Sequence, residues 1–283
     1  MAGFDADNYK RIEREVYSAT SGSYEKYGSR NFEAYAGPLV DAAFLKPGEH
    51  VLDVACGPGI PSLMAAPLVT PAGSITGIDL APGMAELASE KARSRGVANV
   101  SFRQGDAEDL PFPEGAFDVV LCNHGLVHTT DRKKALQEMR RVLKGNGRLA
   151  LSVWSTPDKA CVVGVIAGVI REVWPAAIVP GAPMWFDFGA PGAIEKVLAD
   201  TGFSHIETSR FTIFMEAASP QEYWEAVLGI SGRLQMLLKN IPPDAAERVR
   251  DSVLTAAENF RSGDIIRMPC EEVIATARSS NPH

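Results

Sequence analysis

The sequence predicts an α/β protein built on a mostly parallel sheet with helices on both faces. Short apolar runs bounded by turn residues alternate with helical segments between residues 50 and 154, as in parallel strands joined by helical crossovers. Two later strands suit an antiparallel pair at one edge of that sheet. A chain of 283 residues with 46% hydrophobic residues is long and apolar enough to bury a sizeable core.

The alternating part contains five strands and three helices. The strands are predicted at 50–55, 73–79, 100–106, 116–123 and 148–154. The helices are predicted at 60–70, 82–96 and 131–147. Pro82 near a helix start and Gly96 just past its end are typical boundary residues. The helix over 131–147 has basic residues toward its end, and we expect Gly145 to cap it.

The remaining chain has a different rhythm. Residues 1–47 are predicted to be helical. Residues 157–190 are rich in Pro, Gly, Trp and Phe, which indicates an insertion over one edge of the sheet. Further helices are predicted at 192–202, 220–239 and 243–262, and further strands at 205–217 and 271–278.

Composition narrows the function. The net charge of −7 argues against a nucleic-acid or anionic-membrane partner. The longest apolar run, over 160–170, is shorter than the roughly 20 residues of a membrane-spanning helix, and the N-terminus lacks an apolar signal core. The four cysteines are far apart without metal-ligand spacing, so we expect free thiols, a cytoplasmic location and no metal site.

The stretch "VLDVACGPGI" at 51–60 joins a buried strand to a helix. Gly57 and Gly59 allow close backbone approach to a ligand, and the following helix offers free N–H groups. Dinucleotide-binding turns carry a third glycine, but Pro61 and Ser62 follow here. Asp53 would repel a diphosphate and suits a cationic ligand. Alone, the two glycines are also compatible with an ordinary strand-to-helix turn.

The second strand ends in Asp79, where a carboxylate can accept from both hydroxyls of a ribose. Together with Asp53, this predicts an adenosine ligand with a positively charged, phosphate-free tail. S-adenosylmethionine meets that description.

Five motifs carry a resemblance to a known family, and they occur in order at the expected intervals. They are "VLDVACGPG", "GIDLAPGM", "QGDAEDLPF", "FDVVLCNHGLVH" and "VLKGNGRLALSVW". Over about residues 15–155 the chain resembles class I S-adenosylmethionine-dependent methyltransferases of the ubiquinone/menaquinone-type small-molecule group. The resemblance implies a Rossmann-like three-layer sandwich, with a seven-stranded, mostly parallel sheet whose last strand is antiparallel.

The resemblance also implies site residues around the methionine and ribose parts. Asp53 and the backbone of Ala55 and Gly57 would lie near the methionine. Asp79 would hold the ribose, and the backbone carbonyl of Asn123 would accept from the ammonium. The family usually has glycine where this chain has Ala55, and the extra methyl can tighten the pocket.

The adenine is expected to lie between two further motifs. The resemblance implies that Leu80 and Met84 pack on the adenine ring. Asp106 would accept a hydrogen bond from the adenine amino group, and the backbone of Ala107 would face the edge of the ring. Without the resemblance, Met84 is also compatible with a core position and Asp106 with the cap of a turn.

Aromatic and histidine residues are the remaining candidates. Tyr24 or Tyr27 of the N-terminal helix would touch the cofactor, although both also suit simple packing. His128 follows the fourth strand and is the candidate proton acceptor, ahead of His124, although a histidine in this loop is also compatible with a structural hydrogen-bonding role.

These expectations define the predicted organisation: an N-terminal helical lid (1–47), the cofactor-binding core (48–156), an acceptor-pocket insertion (157–190) and the completion of the core (191–283). The expected reaction is in-line methyl transfer from S-adenosylmethionine to a small-molecule acceptor, with S-adenosylhomocysteine as product. The alternative is a cofactor-binding protein of the same fold that serves as a scaffold or a pericyclic catalyst.

Overall fold

The computed structural model describes residues 4–177 and 179–280, apart from the side chains of residues 23–32. Its strands form one sheet. They are β1 (His50–Val54), β2 (Ser74–Asp79), β3 (Val100–Gln104), β4 (Phe117–Asn123), β5 (Leu143–Trp154), β6 (Phe203–Ala217), β7 (Arg261–Ser262) and β8 (Ile265–Ser279).

The sheet order is β3-β2-β1-β4-β5-β8-β6, with the two-residue β7 paired to the start of β8. Neighbours among β1–β5 are parallel, whereas β8 is antiparallel to both β5 and β6. The predicted fold class is therefore confirmed: seven strands form the main path, and the last strand runs in reverse. Because of this reversal, Glu272 in the middle of β8 lies beside Trp154 at the carboxyl end of β5.

Helices cover both faces of the sheet. They are α1 (Ala6–Ala42), α2 (Ile60–Ala65), α3 (Pro82–Ser94), α4 (Arg132–Val142), α5 (Cys161–Val173), α6 (Ala193–Asp200), α7 (Pro220–Ile230), α8 (Gly232–Asn240) and α9 (Pro243–Ala257). Leu136 and Leu198, from α4 and α6, join the apolar core of one face. Leu39 and Ala65, from α1 and α2, join that of the other. The result is a three-layer sandwich.

Several predicted boundaries are wrong, and three of them have a clear physical reason or a large shift. The helix predicted to reach residue 147 ends at Val142, because Leu143 is buried and already pairs with Phe117, so Gly145 belongs to β5 and caps no helix. The helix predicted over 220–239 is two helices, since the Ser231 side chain caps α8 by accepting from Leu234 N–H. The last strand begins at residue 265 instead of 271.

A third apolar cluster lies over the carboxyl end of the sheet. It joins α5, α7, α8 and α9 to the end of β6 and the start of β8. Burial of Trp224, Val249 and Met268 holds this layer in place. The space between it and the sheet contains the candidate site. Among the described helices, none is long and apolar enough to span a bilayer.

Candidate active site

A cleft opens where β1, β2 and β4 end, and the first half of α1 lies over it. Seven residues predicted from the sequence line this cofactor cleft: Ala55, Gly57, Asp79, Leu80, Met84, Asn123 and His128. Four others are absent from its lining: Asp53, Gly59, Asp106 and Ala107. The side chains of Tyr24 and Tyr27 lie outside the described residues.

The loop after β1 is tied to the end of β2 by the Asp79 carboxylate. Gly57 N–H donates to one of its oxygens at 2.8 Å, and Ala81 N–H donates to the other at 2.9 Å. Burial raises the pKa of Asp79, although these two hydrogen bonds act in the opposite direction. Asp79 therefore shapes the loop and still faces the cleft.

The glycine bend depends on backbone geometry that side chains disfavour. Gly57 and Gly59 have φ of +51° and +77°, in the left-handed region. A Cβ on Gly59 would lie 2.8 Å from the Phe102 ring, so this position serves close packing against β3. Ala55 also has a positive φ, +56°, at the position where the family carries glycine.

Asp53 lies behind this bend. Its side chain is fully buried, Ser62 Oγ donates to Oδ2 at 2.6 Å, and Oδ1 has no hydrogen-bond partner within the described chain. Burial raises the pKa of Asp53 to about 7, despite the Ser62 hydrogen bond. Its influence on a cationic ligand stays a prediction, and it would act from behind the cleft wall.

Asp106 interacts with α1. Lys10 Nζ lies 2.8 Å from Asp106 and 2.6 Å from the buried Glu108, and Lys10 also lines the cleft. Glu108 in turn accepts from the backbone of Thr130 and Asp131. One lysine thus joins the start of α1 to the region predicted to hold adenine.

His128 is held by a carboxylate from α1 that sequence reasoning missed. Its Nδ1 lies 3.1 Å from an oxygen of Glu13, which is 6% exposed, and Arg233 Nε lies 3.9 Å from the other oxygen. Burial would raise the pKa of Glu13, but the hydrogen bond with His128 and the nearby charges outweigh it and lower that pKa. Glu13 and His128 are 115 residues apart, so no local pattern pointed to the pair.

His124 forms a second histidine–carboxylate pair. Its Nε2 lies 3.0 Å from an oxygen of Glu272, which is fully buried, and its ring stacks on Trp154 at 3.7 Å between centroids. Its φ of +53° is a strained backbone conformation for a histidine. Glu272 was another partner that sequence reasoning did not identify.

A smaller cavity, here called the chamber, adjoins the cofactor cleft. Its volume is about 100 Å³, and it shares Tyr17, His124 and His128 with the cleft. Its other walls are mostly apolar: Tyr35, Trp154, Val162, Val163, Ile166, Trp185, Met215, Val227 and Ile230, with Ser231. Two histidines thus stand where the two cavities meet.

The cleft suits a cationic, phosphate-free ligand. Its lining includes the carboxylates of Glu13 and Asp79, and the cation among its lining residues, Lys10, is engaged by Asp106 and Glu108. A Cβ built on Gly57 would meet nothing within 4 Å, so there the bend presents bare backbone to open space. These features fit the adenosyl-sulfonium ligand predicted from the sequence.

Comparisons with known proteins agree. Residues 52–151 match the model of a methyltransferase domain family. Nocamycin O-methyltransferase of Saccharothrix syringae is 31% identical over 259 residues, covering 86% of this chain and 91% of that protein. A ubiquinone/menaquinone biosynthesis C-methyltransferase of Psychromonas ingrahamii is 40% identical over 119 residues, covering 42% of this chain and 47% of that protein.

The fold has solved relatives as well. The YcgJ protein of Bacillus subtilis matches with a TM-score of 0.60 at 21% identity, over 88% of this chain and 99% of that one. A class I methyltransferase fold is thus established. The chain belongs to the S-adenosylmethionine-dependent methyltransferases, and S-adenosylmethionine is its cofactor.

Proposed function

We propose that this enzyme methylates an oxygen of a small, largely apolar molecule and that His128 accepts the proton released. The observation that carries the proposal is the apolar chamber that meets the cofactor cleft at His128, whose Nδ1 is held by the buried Glu13. The relative from Saccharothrix syringae is named as an O-methyltransferase, which supports oxygen as the attacked atom.

The histidine geometry suits proton transfer. With Nδ1 held to Glu13, Nε2 is the ring nitrogen left to accept a proton from the acceptor hydroxyl. The Glu13 carboxylate then stabilises the imidazolium that forms. A positioned base contributes about 10²–10⁴-fold to rate.

The larger contribution comes from alignment. Bound S-adenosylmethionine supplies a methyl group on a sulfonium, open to displacement by a nucleophile. The cleft and chamber hold the two reactants side by side, and fixing two reactants in a near-attack geometry can supply about 7–11 kcal/mol. No covalent intermediate on the chain is required.

We infer that the first half of α1 acts as the lid expected for residues 1–47. Lys10, Glu13 and Tyr17 all line the cofactor cleft, so this helix shields bound cofactor from water. We likewise assign residues 157–190 to the acceptor pocket, because Val162, Ile166 and Trp185 line the chamber. Residues 48–156 would form the cofactor core, and residues 191–283 would complete it.

The test uses donor labelled on the methyl group, offered with a metabolite extract and with a panel of phenols, enols, carboxylic acids, thiols and amines. Label is expected in an oxygen-methylated product, and its formation should fall at least about 100-fold in His128→Asn. Transfer to carbon, nitrogen or sulfur alone would refute the choice of oxygen. Tight binding of S-adenosylhomocysteine without any transfer would favour the scaffold or pericyclic alternative.

A further inference from the structure

A cavity of about 440 Å³, here called the outer pocket, lies beyond the chamber. It is enclosed by the start of α1, the end of α5, the segment after α5 and α8. Its lining is mostly aliphatic and aromatic and includes Ile12, Ile170, Trp174, Trp185 and Leu237. Trp185 lines both the outer pocket and the chamber, so its indole belongs to the walls of both spaces.

The volumes of the chamber and the outer pocket indicate how much of an acceptor molecule each of them can hold. The chamber, at about 100 Å³, is smaller than an apolar cavity of about 150 Å³ that holds one benzene molecule. The outer pocket falls in the range of about 300–1,000 Å³ that is typical of small-molecule sites. Any acceptor larger than one ring must therefore extend out of the chamber, and the space beside Trp185 is available for it.

A partly buried cation, Arg233, lies on the wall of the outer pocket. The Arg233 side chain is 13% exposed, and its guanidinium lies 5.4 Å from the Trp185 ring and 5.7 Å from the Tyr9 ring. It donates to Tyr9 Oη and Val127 O, yet its Nε has no hydrogen-bond acceptor among the described residues. The carboxylate near it, Glu13, is shared with His128. Arg233 lines the outer pocket, and a guanidinium beside a mostly apolar cavity favours a ligand that carries an acidic group.

We propose that the outer pocket binds the extended apolar body of the acceptor, a molecule of two or more rings whose acidic group pairs with Arg233. The assignment of this occupant rests on the proposed methyl transfer, whereas the existence of the site does not.

The experiment uses the full chain saturated with S-adenosylhomocysteine, so that the cofactor cleft is filled. The probe is 8-anilinonaphthalene-1-sulfonate, an acidic two-ring molecule, followed by its own fluorescence and by quenching of the tryptophans. We expect saturable binding of one probe per chain. Leu237→Glu should weaken it at least tenfold, because Leu237 lines the pocket.

The matched control is Leu238→Glu. Leu238 is the next residue of α8 and packs on the same apolar cluster, but it does not line the outer pocket. It should leave probe binding within about twofold of the unmodified chain. Equal losses in both variants, or no saturable binding, would overturn the site.

A second arm tests the acidic group. The neutral analogue N-phenyl-1-naphthylamine should bind at least tenfold more weakly than the sulfonate, and Arg233→Gln should remove that difference. Retained binding of the neutral probe shows that the variant pocket is intact. Equal binding of both probes to the unmodified chain would overturn the role of Arg233.

A third arm tests the occupant. With an acceptor found by the labelled-donor assay, the sulfonate probe should raise its KM and leave kcat unchanged. An unchanged KM would show that the outer pocket is separate from the acceptor site and would overturn our assignment. If no acceptor is methylated, the proposed function and this occupant fail together, while the probe titrations still decide whether the pocket binds acidic ring compounds.

Discussion

Replacing Asp53 by Asn should stabilise the protein at neutral and alkaline pH. The Asp53 side chain is fully buried, and burial raises its pKa from 3.8 to about 7. Above the pKa that Asp53 has in the unfolded chain, ionisation of the buried carboxyl therefore lowers the free energy of unfolding. Since each tenfold change in an ionisation constant corresponds to about 1.4 kcal/mol, the cost approaches about 4 kcal/mol once the group is fully ionised.

The pH window follows from the two pKa values. Below about pH 4 the carboxyl is neutral in both states, so the unfolding free energies of the parent and Asp53→Asn should change with pH alike there. As pH rises from about 4 to 7, the parent should lose stability relative to the variant, and the gap should then level off. Urea unfolding at pH 4, 5, 6, 7 and 8 measures this gap directly.

A control of opposite sign is available. Asp118 hydrogen-bonds with Lys144 and with His50 N–H, and although burial opposes them, these contacts lower its pKa. Asp118→Asn should therefore be less stable than the parent above the ordinary carboxyl pKa of 3.8, and this deficit should shrink as pH falls below it. If the curves for the parent and Asp53→Asn run parallel from pH 4 to pH 8, the reasoning about the buried carboxyl is wrong.

The same variant tests whether Asp53 senses the cofactor. If the positive charge of the ligand favours the ionised carboxylate, binding of S-adenosylmethionine at pH 7 should release about half a proton more in the parent than in Asp53→Asn. Calorimetry in buffers with different ionisation enthalpies measures that number. Equal proton release in both proteins would show that the ionisation of Asp53 does not respond to the bound ligand.

Three further predictions concern the cleft and its histidines. Ala55→Gly should raise the unfolding free energy by about 1 kcal/mol, because it relieves a positive φ. Gly125→Ala should destabilise the protein and weaken S-adenosylhomocysteine binding, because its Cβ would lie 2.5 Å from that of Ala55. Adding Ala55→Gly to that variant should partly restore both properties, as measured by thermal melts and titrations. Glu13→Gln should lower kcat by about 10²-fold, because the variant lacks the carboxylate that stabilises the imidazolium; an unchanged kcat would show that the carboxylate has no part in proton transfer. Glu272→Gln should destabilise the fold by about 1–3 kcal/mol, because it disturbs the buried hydrogen-bonded partner of His124. An unfolding free energy within about 0.5 kcal/mol of that of the parent would contradict this.

Much of the fold was predictable from the sequence because its signals are local. One short apolar run indicates a buried parallel strand, and one proline or glycine indicates a helix boundary. The alternation over residues 50–154 therefore predicted the strands in order. The boundary after α4 was wrong because the pairing of Leu143 with Phe117, a contact between segments, outweighs the local helical pattern.

The cofactor site follows the same division. By itself, the sequence determined the adenosyl-sulfonium chemistry, because the bend after β1 and Asp79 at the end of β2 lie within contiguous motifs. Only the tertiary structure decided that Asp53 lies behind the cleft wall and that Lys10 engages Asp106. It also paired the histidines with Glu13 and Glu272, 115 and 148 residues away. Such pairs depend on where α1 and the reversed β8 come to lie across the sheet, and that placement is set by packing over the whole core, which no short stretch of residues encodes.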